Sequence, residues 1–240
     1  MRRVSAIIPA LVAGTAMVLS FSAFGESLII RQDFEGFDTK GEGTLGAEDS
    51  EGASWKTFGM RDSSPQVSDQ EFFSANGGSP GKSIRIIRDD SAVMTPDFWL
   101  IGSWADPLDS GKLRVSFRFL RDSPDSGFSV HLGTEEKNSN VNTVAVSVGN
   151  RSNSLEKLGV MKIDGSWETT EVMLEVGVWT QVVLEIDFSA ATYVVSVDGT
   201  PVGEAIPFEM NGALRRVSFL PTHPDANVSY IDDVEVVALD

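Results

Sequence analysis

The stretch Lys112-Leu113-Arg114-Val115-Ser116-Phe117-Arg118-Phe119-Leu120 alternates with period two. Leu113, Val115, Phe117 and Phe119 fall on one side of an extended chain, and Arg114, Ser116 and Arg118 on the other. This is the pattern of a strand with one buried face. It recurs with varying clarity over 28–34, 55–58, 83–87, 98–101, 128–130, 141–148, 167–176, 178–188, 192–198, 214–220 and 227–237, while helical periodicity is scarce. A dozen short strands at hairpin-like spacing predict an all-β sandwich or barrel built from antiparallel pairs. The polar, Gly-, Ser- or Pro-rich stretches 36–54, 62–81 and 122–126 read as loops.

Composition narrows the class. The 240 residues carry 35 acidic and 19 basic side chains, a formal charge of −16, with 41% hydrophobic content and no cysteine. A folded chain is expected, without disulfides, thiolate zinc sites or a cysteine nucleophile. The acidic excess argues against nucleic acid as a partner. Two histidines, His131 and His223, leave little material for a His-rich metal centre or a catalytic triad.

The amino terminus begins Met1-Arg2-Arg3, continues with an uncharged run over 6–21 and reaches Ala23-Phe24-Gly25. A positive start, an apolar stretch shorter than the roughly 20 residues of a spanning helix and a small-residue site predict a signal peptide over 1–25, cleaved after Gly25. Residues 26–240 then form one domain with a charge of −18, secreted or held in a bacterial periplasm, with no transmembrane segment after cleavage. The sequons at Asn150 and Asn227 read as chance in a bacterial protein.

The segment Gly177-Val178-Trp179-Thr180-Gln181-Val182-Val183-Leu184-Glu185-Ile186-Asp187-Phe188, followed by Thr192-Tyr193-Val194-Val195-Ser196-Val197-Asp198-Gly199-Thr200-Pro201-Val202, resembles the laminin-G-like and concanavalin A-like jelly rolls. Members of that superfamily often show G-x-W, an apolar strand, then a strand ending in V-D-G-x-x-V. Residue by residue the pattern agrees: Val182, Leu184, Ile186 and Phe188 share one face, and Asp198-Gly199 suits a tight hairpin turn. The resemblance implies a two-sheet antiparallel jelly-roll sandwich, an architecture shared by lectins, adhesion modules, glycosidases and polysaccharide lyases. In similar secreted modules the first and last strands lie side by side, with an acidic residue from each on a structural calcium. Asp33, Glu35 and Asp232 are the corresponding candidates here. The last strand's phase adds an argument: Val228, Tyr230, Val234 and Val236 share a face with Asp232, and a lone buried carboxylate needs a partner, for which calcium, an arginine or backbone N–H groups are candidates.

Catalytic patterns are incomplete. Glu185-Ile186-Asp187 resembles the strand of laminarinase-like glycosidases, but Phe188-Ser189-Ala190 follows where a second glutamate is required. Jelly-roll lyases place Arg, Gln, His and Tyr on neighbouring strands; Arg114-Val115-Ser116-Phe117-Arg118 lacks the acidic middle residue and Ser129-Val130-His131 lacks the glutamine. The glycine-rich stretch 75–81 is a turn, not a phosphate loop. For sugar binding, Trp99 and Trp104 fall outside the core alternation and supply stacking surfaces beside Asp106, while Arg114 and Arg118 suit an acidic sugar. The sequence thus points to a non-enzymatic jelly-roll domain binding carbohydrate or another extracellular surface. The alternatives are a divergent polysaccharide hydrolase or lyase on the same fold, and a structural or adhesive envelope protein.

Overall fold

The computed structural model describes residues 25–32, 48–49, 53–58, 66–69, 82–88, 99–134, 144–151, 154–210, 212–222 and 227–239. Alternating apolar residues make strands of these segments: β1 (Glu26–Gln32), β2 (Glu48–Asp49), β3 (Ala53–Phe58), β4 (Gln66–Asp69), β5 (Lys82–Arg88), β6 (Trp99–Leu108), β7 (Lys112–Arg121), β8 (Phe128–Gly133) and β9 (Val144–Arg151). They continue with β10 (Ser154–Met161), β11 (Trp167–Met173), β12 (Thr180–Asp187), β13 (Thr192–Val197), β14 (Thr200–Pro201), β15 (Ile206–Pro207), β16 (Leu214–Pro221) and β17 (Asn227–Leu239). No described residue is helical.

Two sheets result. The first runs β14-β13-β12-β7-β17-β5-β4, with β15 beside β13 and β1 beside the second half of β17. The second runs β11-β10-β9-β8-β16-β6-β3-β2. All pairings between these strands are antiparallel, among them the predicted neighbours, first strand and last. The expected Asp198-Gly199 turn is present with φ of 47° and 77°, the sign a two-residue hairpin loop needs at both positions.

The core lies between the sheets. Leu113, Val115, Phe117 and Phe119 of β7 face Val182, Leu184 and Ile186 of the adjacent β12 on the same side, all buried. Across the gap, Phe117 meets Phe219 edge-on at 5.4 Å and Phe119 stacks on Phe128, joining β7 to β16 and β8. Edge-to-face and offset contacts suit the ring quadrupoles and add about 0.5–1.5 kcal/mol each beyond burial.

Three local features depart from simple alternation. In β17, Asp232 pairs with Arg118 but the next pair is Glu235 with Ser116, so Asp233 and Val234 together oppose Phe117. Asp233 sits at φ 47°, a bulge that adds one residue and switches the strand's faces. Ile231 before it and Val234 and Val236 after it are all fully buried. The predicted face joining Tyr230, Asp232 and Val234 is therefore corrected: the bulge turns Asp232 away from the core, and no buried carboxylate there calls for a cation.

The second feature is Gly149 in β9, where a Cβ would lie 2.2 Å from the Phe128 carbonyl oxygen, so only glycine admits the close approach of β8. The third is Arg121 at the end of β7. It is buried, with Nε donated to Ser126 O (3.2 Å), Nη1 to Leu174 O (2.6 Å) and Nη2 to Pro124 O (2.5 Å). Burial lowers its pKa from the usual value, with Glu156 and Asp125 opposing that shift. Beside it the Asn150 amide accepts from Phe128 N and donates to Ser126 O and Leu155 O. That side chain is committed to backbone.

Candidate functional site

Trp104 is 4% exposed and donates its indole N–H to Leu214 O at 3.1 Å. It lies inside β6, which continues past Gly102 to Leu108 instead of ending before it. The expected sugar platform is thus a core side chain. Trp99 opens β6 and pairs with Phe58 on β3. Asp106 is exposed near the end of the same strand.

The predicted arginines occupy the outer face of the first sheet and are held in ion pairs. Arg114 makes a two-pronged contact with Glu26 (3.2 and 3.4 Å), and Arg118 Nε reaches Asp233 Oδ2 at 3.1 Å. His131 belongs to β8 in the second sheet. The two sheets turn their outer faces in opposite directions, so Arg114 and Arg118 do not share a site with His131. Glu185 is exposed, while Asp187 caps the β12–β13 turn by accepting from Ser189 Oγ (2.6 Å) and Ala190 N (3.0 Å). These bonds, with Lys112 nearby, draw its pKa down to about 2. It is a turn carboxylate, far more acidic than an acid catalyst needs. Asp232 accepts from Asp233 N at 2.8 Å. Asp33, Glu35 and His223 lie outside the described residues, and among those described no three His, Asp or Glu side chains gather into a metal site.

The chemistry instead collects on the second sheet. One cross-strand row, Val160-Val148-Val130-Phe219-Leu100 over β10, β9, β8, β16 and β6, belongs entirely to the hydrophobic core. The rows on either side of it must then face outward, because side chains alternate along each strand. One outward row is Ser147-His131-Ser218-Ile101 across β9, β8, β16 and β6. A second is Gly159-Gly149-Ser129-Leu220 across β10, β9, β8 and β16. In a third, Arg216 stands between Gly133 and Ser103. Neighbours within a row are about 5 Å apart and successive outward rows about 7 Å. Arg216, His131, Ser129, Ser147 and Ser218 therefore form one compact polar patch.

Hydrogen bonding within the patch is uneven. Ser147 Oγ donates to Val130 O at 3.1 Å. Ser129 and Ser218 are 0% exposed, yet neither hydroxyl has a hydrogen-bond partner among the described residues. An unsatisfied buried hydroxyl costs about 1–3 kcal/mol, a cost Ser129 and Ser218 share with Ser83 and Ser229 of the first sheet. Arg216, Ser129, Ser147 and Ser218 are each 0% exposed, so the patch is a buried polar row of a guanidinium, an imidazole and hydroxyls and not an open surface.

Sequence reading noted His131 only as a strand-end histidine in an incomplete lyase pattern and did not single out Arg216, Ser129 or Ser218. The available signal was phase: Arg216 and Ser218 alternate with the core residues Val217 and Phe219. What one sequence does not encode visibly is that β16 pairs with β8.

Neither a protein-family model nor a curated protein sequence matches the chain. Solved structures do. Basic winged bean lectin with Tn-antigen aligns over 89% of this chain and 98% of its own, at a TM-score of 0.54 and 10% identity. The fold is a concanavalin A-like jelly roll. An alginate lyase of polysaccharide lyase family 7 covers 76% of this chain and 93% of its own, with a TM-score of 0.51 and 11% identity. The binding domain of botulinum neurotoxin DC in complex with SialylT covers 89% of this chain at 0.52 and 13% identity, and this chain spans 49% of its length. The chain spans 15% of a sialidase that it also matches. A lectin and a lyase both carry this jelly roll at 10–11% identity, so the likeness shows the fold alone.

Proposed function

We propose that the protein is a carbohydrate-binding jelly-roll domain whose site is the outer face of the second sheet, centred on His131 and Ser218. The observation that carries this reading is the pair of buried, unpartnered hydroxyls of Ser129 and Ser218 flanking the imidazole. Sugar hydroxyls, which donate and accept in equal measure, are the complementary ligand. Arg216 in the adjoining row is 0% exposed, so its guanidinium would meet a sugar carboxylate only if binding uncovers this row. An excess of acidic residues over the whole chain then selects against other polyanions, and the guanidinium must act locally. Calorimetry of the chain with galacturonate and guluronate oligomers and with their neutral counterparts tests the reading. Binding of the acidic oligomers, weakened by salt and by Ser218→Ala, is expected; no heat with any of them sinks it.

A second reading rests on His131 and Arg216 standing one row apart. A proton acceptor beside a guanidinium that neutralises a uronate carboxylate is the minimum for β-elimination. Ultraviolet absorbance from an unsaturated uronate, lost in His131→Ala, would turn the binding domain into a lyase. Export by the signal peptide, and calcium at Asp33, Glu35 and Asp232, belong to the same proposal. A melting temperature that is equal in excess EDTA and in millimolar calcium removes the metal from it.

A further inference from the structure

At one edge of the sandwich a cleft of about 670 Å³ lies between the two sheets. One wall is the end of β10 with β11, the edge strand of the second sheet. The other is the segment 201–207, which pairs with β13 at both ends through β14 and β15. The Tyr193 hydroxyl of β13 donates to Met161 O of β10 at 2.6 Å, so the elements that carry the two walls are tied together. Val160 and Val202 line the cleft and are almost wholly buried, and the partly buried Val172 and Ile206 pack against the core beside them. Ile163, also in the lining, is 56% exposed, the most exposed large apolar side chain among the described residues. An apolar lining around a volume between roughly 300 and 1,000 Å³ is the character of a small-molecule site.

Neither wall suits an added strand. In β11, Lys157 pairs with Met173 and Gly159 with Thr169, so residues 170–172 together oppose Leu158. The Thr170 hydroxyl closes this bulge by donating to Leu158 O (2.8 Å) and accepting from Val172 N (3.2 Å). A bulge and the exposed Glu168 and Glu171 on an edge strand work against edge-to-edge pairing. Pro201 and Pro207 on the opposite wall lack the N–H that a ladder needs. The occupant is then a compact molecule, neither an extended chain nor a second copy joined edge to edge. Its charge follows from the charged side chains of the lining. Lys162 is paired with Glu168 at 2.6 Å and Glu171 with Lys157 at 2.8 Å, while Glu204 makes no ion pair among the described residues. One uncompensated negative charge beside an apolar lining, in a chain of net charge −16, attracts a cation.

We propose that this cleft binds a small apolar molecule carrying one ammonium group. The body of the ligand rests on Val160, Val172, Val202 and Ile206 beside the Ile163 side chain, and its ammonium meets the Glu204 carboxylate. None of His131, Ser129, Ser218 and Arg216 lines this site, so it stands independently of the carbohydrate reading.

The test uses indoles of one shape and different charge: tryptamine, tryptophol and indole-3-propionate. Calorimetry of the full chain with each reads the affinity, and amide chemical shifts read the place. Tryptamine is expected to bind about fivefold more tightly than tryptophol, the worth of one partly exposed charge pair, and indole-3-propionate more weakly than either. High salt should erase the difference. The largest shifts should fall over 168–172 and 202–206. Glu204→Gln should bring tryptamine down to the level of tryptophol and leave tryptophol unchanged. Ile163→Ser, at an exposed position outside the core, should weaken both. Equal binding of amine and alcohol, or an amine preference that survives Glu204→Gln, overturns the proposal. Absence of tryptamine binding overturns it as well, as do shifts centred on the exposed Met173, Val176 and Val178. A dimer of the chain that tryptamine dissociates would make the cleft an interface between copies, and the proposal would fall.

Discussion

Ser218 of β16 stands directly across from His131 of β8, and its fully buried hydroxyl has no hydrogen-bond partner among the described residues. A side chain so placed is a cost to the folded protein unless something else uses it. Ser218→Ala removes the unsatisfied group and is expected to raise stability by about 1 kcal/mol, or a few degrees in melting temperature for a domain this size. The same change should weaken binding of acidic oligosaccharide. Ser147→Ala is the contrast, because Ser147 Oγ already donates to Val130 O. Losing that bond should lower stability by about 1 kcal/mol. Thermal unfolding of the two variants side by side reads both signs.

Gly149→Ala should be among the most damaging small substitutions in the second sheet. The new methyl would meet the Phe128 carbonyl oxygen at 2.2 Å and Ser129 Cα at 2.8 Å, both backbone atoms that move only with β8 itself. Overpacking of this kind typically costs about 1–3 kcal/mol. Denaturant melts should show the loss, and ligand binding should fall with it because Ser129 and His131 ride on the displaced strand.

Asp187 gives a pH dependence with a definite sign. Its pKa falls from 3.8 to about 2 in the fold, held by hydrogen bonds from Ser189 and Ala190 and by Lys112. A depressed carboxylate contributes stability that is present above its unfolded pKa and disappears as the pH drops through the folded one. The wild-type protein should therefore melt above Asp187→Asn at neutral pH, and the two melting curves should converge between pH 4 and pH 2. A gap that persists at pH 2 would show that the turn is held by something other than this charge.

The alternation in 112–120 was enough to reveal a strand because one face of β7 is wholly buried and the pattern is local. The same rule failed at Asp232 for a physical reason. Alternation assumes that every residue advances the strand by one step, and the bulge at Asp233 inserts a residue that does not. Trp104 was misread because β6 runs on through Asp106-Pro107, a stretch whose polar composition resembles a loop. The strand β10 went unseen, since Ser154-Leu155-Glu156-Lys157-Leu158-Gly159-Val160-Met161 carries its own register shift and no clean alternation. At the site, His131 was visible by type. Arg216 was not, because its place beside Gly133 depends on pairing between strands far apart in the chain.

Arg121 supports a prediction about the end of the sandwich nearest the 122–126 turn. Its guanidinium fans out to the carbonyls of Ser126, Leu174 and Pro124, and its own carbonyl accepts from Gly177 N at 2.8 Å. One side chain thus ties β7 to the turn before β8 and to the segment between β11 and β12. An ammonium group cannot reproduce a planar fork aimed at three carbonyls, so Arg121→Lys is not a conservative change here. Each charged hydrogen bond to a buried acceptor is worth about 1.5–3 kcal/mol, and Arg121→Lys should lose the equivalent of one or two of them. Hydrogen exchange localises the effect: protection should drop first at Ser126 and Gly177, whose amides depend on this junction, while the β12–β13 hairpin keeps its own. Uniform loss of protection across both sheets would show instead that Arg121 secures the whole fold and not this one end of it.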